Sequence, residues 1–64
     1  MNARERAESE LNELEEKLAK LTNFLHSEKF NSLTNNNQNL LIIQSYIMNQ
    51  YVDILKARLR NWID

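Results

Sequence analysis

The sequence contains no cysteine, no proline and no glycine in 64 residues, and only one histidine. Without cysteine there is no disulfide and no thiolate zinc site. One imidazole per chain rules out an all-histidine metal cage within a single copy, and no metal or cofactor is expected. Without glycine, the tight turns of β-hairpins and the backbone cradles of phosphate-binding loops lose their usual residue. Nor does any stretch have the composition of a linker. Charge of one sign is also missing: eight Lys and Arg against nine Asp and Glu give a net -1. So weak a field attracts neither duplex DNA nor an anionic membrane over distance. The longest apolar run, Leu40-Leu41-Ile42-Ile43, falls far short of the ~20 residues of a membrane span. Nothing after Met1 has the build of a secretion signal. An intracellular chain with no DNA and no membrane partner is the expectation.

What is present is hydrophobic: 42% of the residues. A chain this short buries only about 60% of the surface it exposes when unfolded. Its own core rarely supplies more than ~3–5 kcal/mol. With disulfides and thiolate zinc sites excluded, very good helix packing or self-association must supply the remainder.

The apolar spacing is helical. From about residue 3 to 26, Leu11, Leu14, Leu18, Leu21 and Leu25 recur at intervals of three and four, one stripe of an amphipathic helix. Glu13 before Lys17 and Glu16 before Lys20 have the favourable i,i+4 order; Arg4–Glu8 and Arg6–Glu10 have the less favoured one. Ser27 is an N-cap candidate, and Phe30 and Leu33 sit on one side of a short helix expected over about 28–33. Thr34 or Asn35 then caps a second long helix, expected over about 36–62. The run Thr34-Asn35-Asn36-Asn37-Gln38-Asn39 is too short to read as an aggregation tract. The fold class is therefore all-α, an antiparallel two-helix hairpin with a short connecting helix, and residues 1–64 form a single domain.

The second long helix has too much apolar circumference. Leu41, Met48, Val52, Leu55, Leu59 and Trp62 form one seam, with Gln44 on the line between Leu41 and Met48. Leu40, Ile43, Ile47, Tyr51 and Ile54 form another, rotated by about a quarter turn at ~100° per residue. One antiparallel neighbour covers one seam. The other needs a second copy or another protein, and closed homo-oligomers are the default. The charge is uneven as well. Residues 1–33 hold seven Glu against five Lys or Arg, whereas residues 34–64 hold Lys56, Arg58 and Arg60 against Asp53 and Asp64.

Several side chains invite a chemical reading. His26 closes the first helix, where a helix C-terminus favours a cation; no partner nucleophile points to catalysis. Glu13, Glu15 and Glu16 evoke a carboxylate metal site, but His26 follows Asn23 rather than a Glu at the i,i+3 spacing such bundles use. A solvated face accounts for them. Gln44 is either a register-setting hydrogen-bonder or a ligand contact. Tyr51 and Trp62 either pack or stack on a nucleobase, and Arg6, Lys17, Lys20, Arg58 and Arg60 are candidate phosphate partners. In a symmetric assembly, copies of one arginine converge on an axis, so repetition builds a polyanion pocket. No enzyme signature is present, and a non-enzymatic role is expected.

The run Arg6, Glu10, Leu14, Lys17-Leu18, Lys20-Leu21, Phe24-Leu25, then Ser27, Phe30 and Leu33, then Leu40-Leu41, Gln44, Met48, Tyr51, Leu55 and Arg58 resembles a helical-hairpin domain of tailed phages. It is the domain of the anti-CBASS and anti-Thoeris cyclic-nucleotide sponges, also met in crAss-like phage proteins. The resemblance implies a protein of the infected bacterial cytoplasm. It implies binding of cyclic di- or trinucleotide immune signals without cleavage, in pockets between protomers of a homohexamer. Some relatives carry an additional domain that takes cyclic ADP-ribose isomers; these 64 residues hold the hairpin. Read this way, Arg6, Lys17 and Arg58 are the phosphate contacts, Tyr51 the stacking residue and Gln44 an edge reader. The alternative is a protein-interaction or assembly module that uses the surplus apolar face.

Overall fold

A computed structural model describes residues 2–63. It contains three helices, α1 (Ala3–Leu25), α2 (Glu28–Asn31) and α3 (Asn35–Arg60), and α1 packs along α3. No strand is present among the described residues. The 23 residues of α1 run for about 35 Å at 1.5 Å per residue. The connection to α3 spends four of its residues in α2, so it has no reach to return to the start of α1, and α3 must run antiparallel. The result is a rod, 48 × 16 × 13 Å.

Side chains end each helix. Asn2 caps α1 by accepting from the Glu5 amide at 2.8 Å. His26 sits at the other end, its Nδ1 2.8 Å from the Thr22 carbonyl. Ser27 joins α1 to α2: its hydroxyl donates to the Phe24 carbonyl at 2.6 Å and accepts from the Phe30 amide at 3.3 Å. Phe24 and Phe30 meet edge to face across this corner, centroids 6.3 Å apart. Thr34 caps α3 by accepting from the Asn37 amide, and the asparagine run forms the first turns of that helix. Gln38 reaches back to donate to the Phe30 carbonyl at 2.9 Å, tying α3 to the corner.

Four helix ends differ from the sequence reading. The first helix stops at Leu25, because His26 leaves helical geometry: its backbone amide turns to the Asn23 carbonyl and the Ser27 amide to the Phe24 carbonyl. The connecting helix stops at Asn31 rather than 33: Ser32 donates through its amide and its hydroxyl to the Lys29 carbonyl, and Leu33 closes on Phe30. The last helix spans Asn35–Arg60 rather than 36–62. Asn61 takes the Ala57 carbonyl with both its backbone amide and its side-chain nitrogen, closing the last turn.

The seam follows the expected spacing with one correction. Along α3, Leu41, Ser45, Met48, Val52, Leu55 and Leu59 form the buried or half-buried seam, continued by Trp62 just past the helix, with Gln38 and Ala57 also half-buried. Ser45, not Gln44, occupies the seam between Leu41 and Met48. It satisfies its hydroxyl by donating to the Ile42 carbonyl at 2.7 Å, whereas Gln44 is exposed and touches Met48 Sδ at 4.0 Å. The alternation of four and three residues explains the exchange, since Leu41 to Ser45 is the long step.

The core is thin. Among the described residues only Ala7, Val52 and Leu55 are fully buried, and Leu55 has no exposed surface at all. The chain exposes 5106 Å², against the about 4,300 Å² that surface scaling gives a compact monomer of 7.7 kDa. The elongated shape contributes to that excess, and exposed large hydrophobics gather on α3. Leu40, Ile42, Ile43, Tyr46, Ile47 and Ile54 are each at least half exposed, so the second apolar stripe remains uncovered by α1.

Candidate functional site: one flank of the hairpin

Which side of the rod carries the candidate residues follows from their place beside the seam. On α1, Arg6 precedes Ala7, Glu10 precedes Leu11 and Lys17 precedes Leu18. On α3, Gln44 precedes Ser45, Tyr51 precedes Val52 and Arg58 precedes Leu59. Each is therefore turned ~100° from its seam neighbour in the same sense. For two helices packed antiparallel and face to face, that sense leads to the same side. The structure joins the two rows directly: the Tyr51 hydroxyl donates to Glu10 Oε1. Residues that follow the seam lie on the opposite flank, where Lys56 Nζ approaches Glu15 Oε2 at 3.6 Å. Arg6, Lys17, Gln44, Tyr51 and Arg58 thus share one flank, all exposed.

The hydrogen bond to Glu10 raises the Tyr51 pKa above 10.0, because it favours the neutral phenol; desolvation and the Glu10 charge add to this, and Arg58 works against it. The sequence reading assigns Glu10 no ligand contact. Its signal was available, since it occupies the position before a seam leucine on the same flank as Tyr51. Tyr51 and Arg58 stand two turns apart on one face of α3. Beyond them, Arg58 also lines a shallow depression of about 350 Å³ with Asn61, Trp62 and Ile63. That depression lies at the C-terminus of α3, where Arg58 and Arg60 occupy the last turn and complement the helix dipole. Trp62, the other stacking candidate, is half-buried there.

Lys20, which precedes Leu21, and Glu13, which precedes Leu14, fall on the same flank, whereas Glu15 and Arg4 stay apart from it. Glu15 engages Lys56 on the far side. Arg4 pairs with Glu8 at 3.4 Å, the less favoured order. Among the described residues no group of three or more His, Cys, Asp or Glu is placed to hold a metal, and no helix is long and apolar enough to cross a membrane.

The structure is a helical hairpin with cations, carboxylates, a phenol and aliphatic surface along one side. The Sequestin family model matches residues 1–61, nearly the whole chain, and the chain belongs to the Sequestin family. That membership is consistent with the resemblance to the phage cyclic-nucleotide sponges, and the family name points to sequestering rather than catalysis. No curated protein and no solved structure matches the chain.

Proposed function

We propose that this chain sequesters cyclic oligonucleotide immune signals, cyclic dinucleotides or trinucleotides, and holds them without cleavage in the cytoplasm of a phage-infected bacterium. The observation that carries this reading is the shared flank, where Arg6, Lys17 and Arg58 border Tyr51 and Gln44 beside uncovered aliphatic surface. A cyclic dinucleotide presents two phosphates and two bases. Arginine forks suit the phosphates, and a base stacked on an aromatic ring gains ~1–3 kcal/mol. One hairpin offers only an open face, so an enclosed pocket forms where copies meet, as in the homohexamer the resemblance implies. Family membership supports retention over turnover.

Calorimetry and thermal melting against a panel of cyclic di- and trinucleotides test this. A true ligand at 100 times its Kd raises stability by about 2.7 kcal/mol, and chromatography returns it intact. Arg6→Ala with Arg58→Ala weakens that response. Silence across the panel at high micromolar ligand, or recovery of a cleaved product, overturns the reading. The exposed aliphatics of α3 favour a second reading, a docking module for another protein. It requires a partner in pull-down that survives Arg6→Ala with Arg58→Ala and is lost on Ile47→Glu.

A further inference from the structure

Glu10 is an acid on the flank that carries the cations. On that side of α1 the residues before the seam are Arg6, Glu10, Glu13, Lys17 and Lys20, spaced by three or four, so neighbours in the row stand ~5–6 Å apart. Arg6 has the spacing to neutralise Glu10, yet the ion pairs among the described residues are Arg4–Glu8 and Lys56–Glu15. Glu10 is held instead from the other helix, where the Tyr51 hydroxyl donates to its Oε1. Its other oxygen, Oε2, takes no hydrogen bond from the described residues, and the side chain is exposed. A carboxylate among phosphate partners repels the anion it sits beside. That cost is offset only where the ligand returns a hydrogen-bond donor to it.

We infer that Glu10 is a specificity-determining residue that reads the sugar: its free carboxylate oxygen accepts from the ribose 2′-hydroxyl of the bound nucleotide, and ligands without that donor are rejected. The order of the side chains matches the order of groups in a nucleotide. A base on the Tyr51 ring and a phosphate at Arg6 leave the ribose between them. Glu10 stands between those two residues, bonded to one and a single turn from the other. Tyr51 then has two tasks, since its ring face is left for the base while its hydroxyl fixes the carboxylate. An ionised carboxylate only accepts, and the donors of a cyclic nucleotide are ribose hydroxyls and base N–H groups. The guanine edge presents two N–H groups side by side and suits a carboxylate with both oxygens free. Here Oε1 is engaged by Tyr51, so a single hydroxyl is the better match. Dinucleotide-binding folds use an acidic side chain on the ribose 2′-hydroxyl in the same way. The ligand class rests on the function proposed above; what Glu10 adds is selection of ribose over sugars that lack the hydroxyl.

Titration calorimetry on the full chain tests this with cyclic di-AMP and cyclic di-GMP, each beside its 2′-fluoro analogue. Fluorine keeps the bases, the phosphates and the sugar pucker but cannot donate. The wild type is expected to bind a ribose form about tenfold more tightly than its fluorinated partner, the scale of one hydrogen bond to a charged group. Glu10→Ala is expected to remove that preference from both ends. The ribose form binds more weakly for want of its acceptor, and the fluorinated form binds more tightly because its phosphates no longer meet an acid. Damage to the fold would weaken both ligands together, so the opposite signs separate recognition from structure. Tyr51→Phe keeps the ring and frees the carboxylate, and is expected to shrink the preference severalfold. Equal wild-type binding of the ribose and fluorinated forms overturns the role of Glu10 and leaves the proposed function standing, as does a preference that survives Glu10→Ala. A loss in Glu10→Ala that is confined to cyclic di-GMP and equal for its two forms assigns Glu10 to the base edge and overturns it as well. Silence of the wild type toward both pairs overturns it too, and silence across the whole cyclic-nucleotide panel removes the proposed function with it.

Discussion

The two long helices solve the same problem differently. In α1, Glu5, Glu8, Glu10, Glu13, Glu15 and Glu16 with Arg4, Arg6, Lys17 and Lys20 clothe everything except one leucine stripe. In α3 the only charges are Asp53, Lys56, Arg58 and Arg60, and apolar residues occupy two stripes. One neighbour completes α1 and leaves α3 half finished. The difference locates the uncovered surface: the helix that is satisfied within the hairpin presents its polar face to water, and the one that is not presents an aliphatic stripe.

The largest expected effect sets the covered stripe against the uncovered one. Leu55 is wholly buried, and Leu55→Ala deletes packed methyls and leaves a cavity, a loss of about 2–5 kcal/mol. In a rod with only two other fully buried described residues, Ala7 and Val52, that loss removes most of the folded population at room temperature. The same kind of truncation at Ile47, 59% exposed, removes far less packing within the hairpin. In the homo-oligomer proposed above its main cost is to association, so the gap between wild-type and Ile47→Ala melting temperatures is expected to widen as protein concentration rises. Melts at two concentrations check both variants. A concentration-independent gap for Ile47→Ala erases the contrast between the stripes.

That contrast was legible in the sequence. The three-and-four spacing of Leu11, Leu14 and Leu18 defines a stripe because helical geometry leaves no other face for it, and the surplus Leu40, Ile43, Ile47 and Ile54 declared itself by lying outside the seam. Ser27 and Thr34 were readable as caps because a helix start requires an oxygen acceptor. The helix ends were less legible: Ser32 and Asn61 terminate their helices with local hydrogen bonds that compete with the next helical turn, and nothing in the apolar pattern reports such bonds. Gln44 was placed on the seam because two three-to-four steps fit between Leu41 and Met48, and only packing chooses the order. That Arg6, Lys17, Tyr51 and Arg58 share a flank was implicit in their places before seam residues, but it needed the antiparallel path of α3 to become a statement about space.

The corner between the two helices offers the next effect. Ser27→Ala removes the cap on the Phe30 amide and the bond to the Phe24 carbonyl at a half-buried position. The expected loss is about 1 kcal/mol, within the ~0.5–2 kcal/mol of N-cap deletions, read by denaturant unfolding. A loss near that of Leu55→Ala would mean that the corner, not the seam, dominates the hairpin's stability.

The flanks repeat the comparison on a smaller scale. Lys56–Glu15 at 3.6 Å joins side chains nearly half exposed, and such pairs contribute ~0–1 kcal/mol. Lys56→Gln is therefore expected to cost less than Ser27→Ala, and its cost should shrink as salt is raised. On the opposite flank the Tyr51–Glu10 bond is expected to leave still less trace at neutral pH, where an exposed phenol exchanges one acceptor for water. Its signature is alkaline. Because the hydrogen bond to Glu10 raises the folded pKa above the unfolded 10.0, the folded state holds the phenolic proton more tightly than the unfolded one. The stabilisation is complete below pH 10 and is lost as pH climbs through the folded pKa. Phenolate absorbance of the wild type minus that of Tyr51→Phe isolates this titration, with a midpoint expected above 10.0. Glu10→Gln removes the acceptor charge and should bring the midpoint down. A Tyr51 midpoint at or below 10.0 in the wild type breaks the bond between the two rows, and with it the grouping of Arg6 and Lys17 with Tyr51 and Arg58 on a single working side.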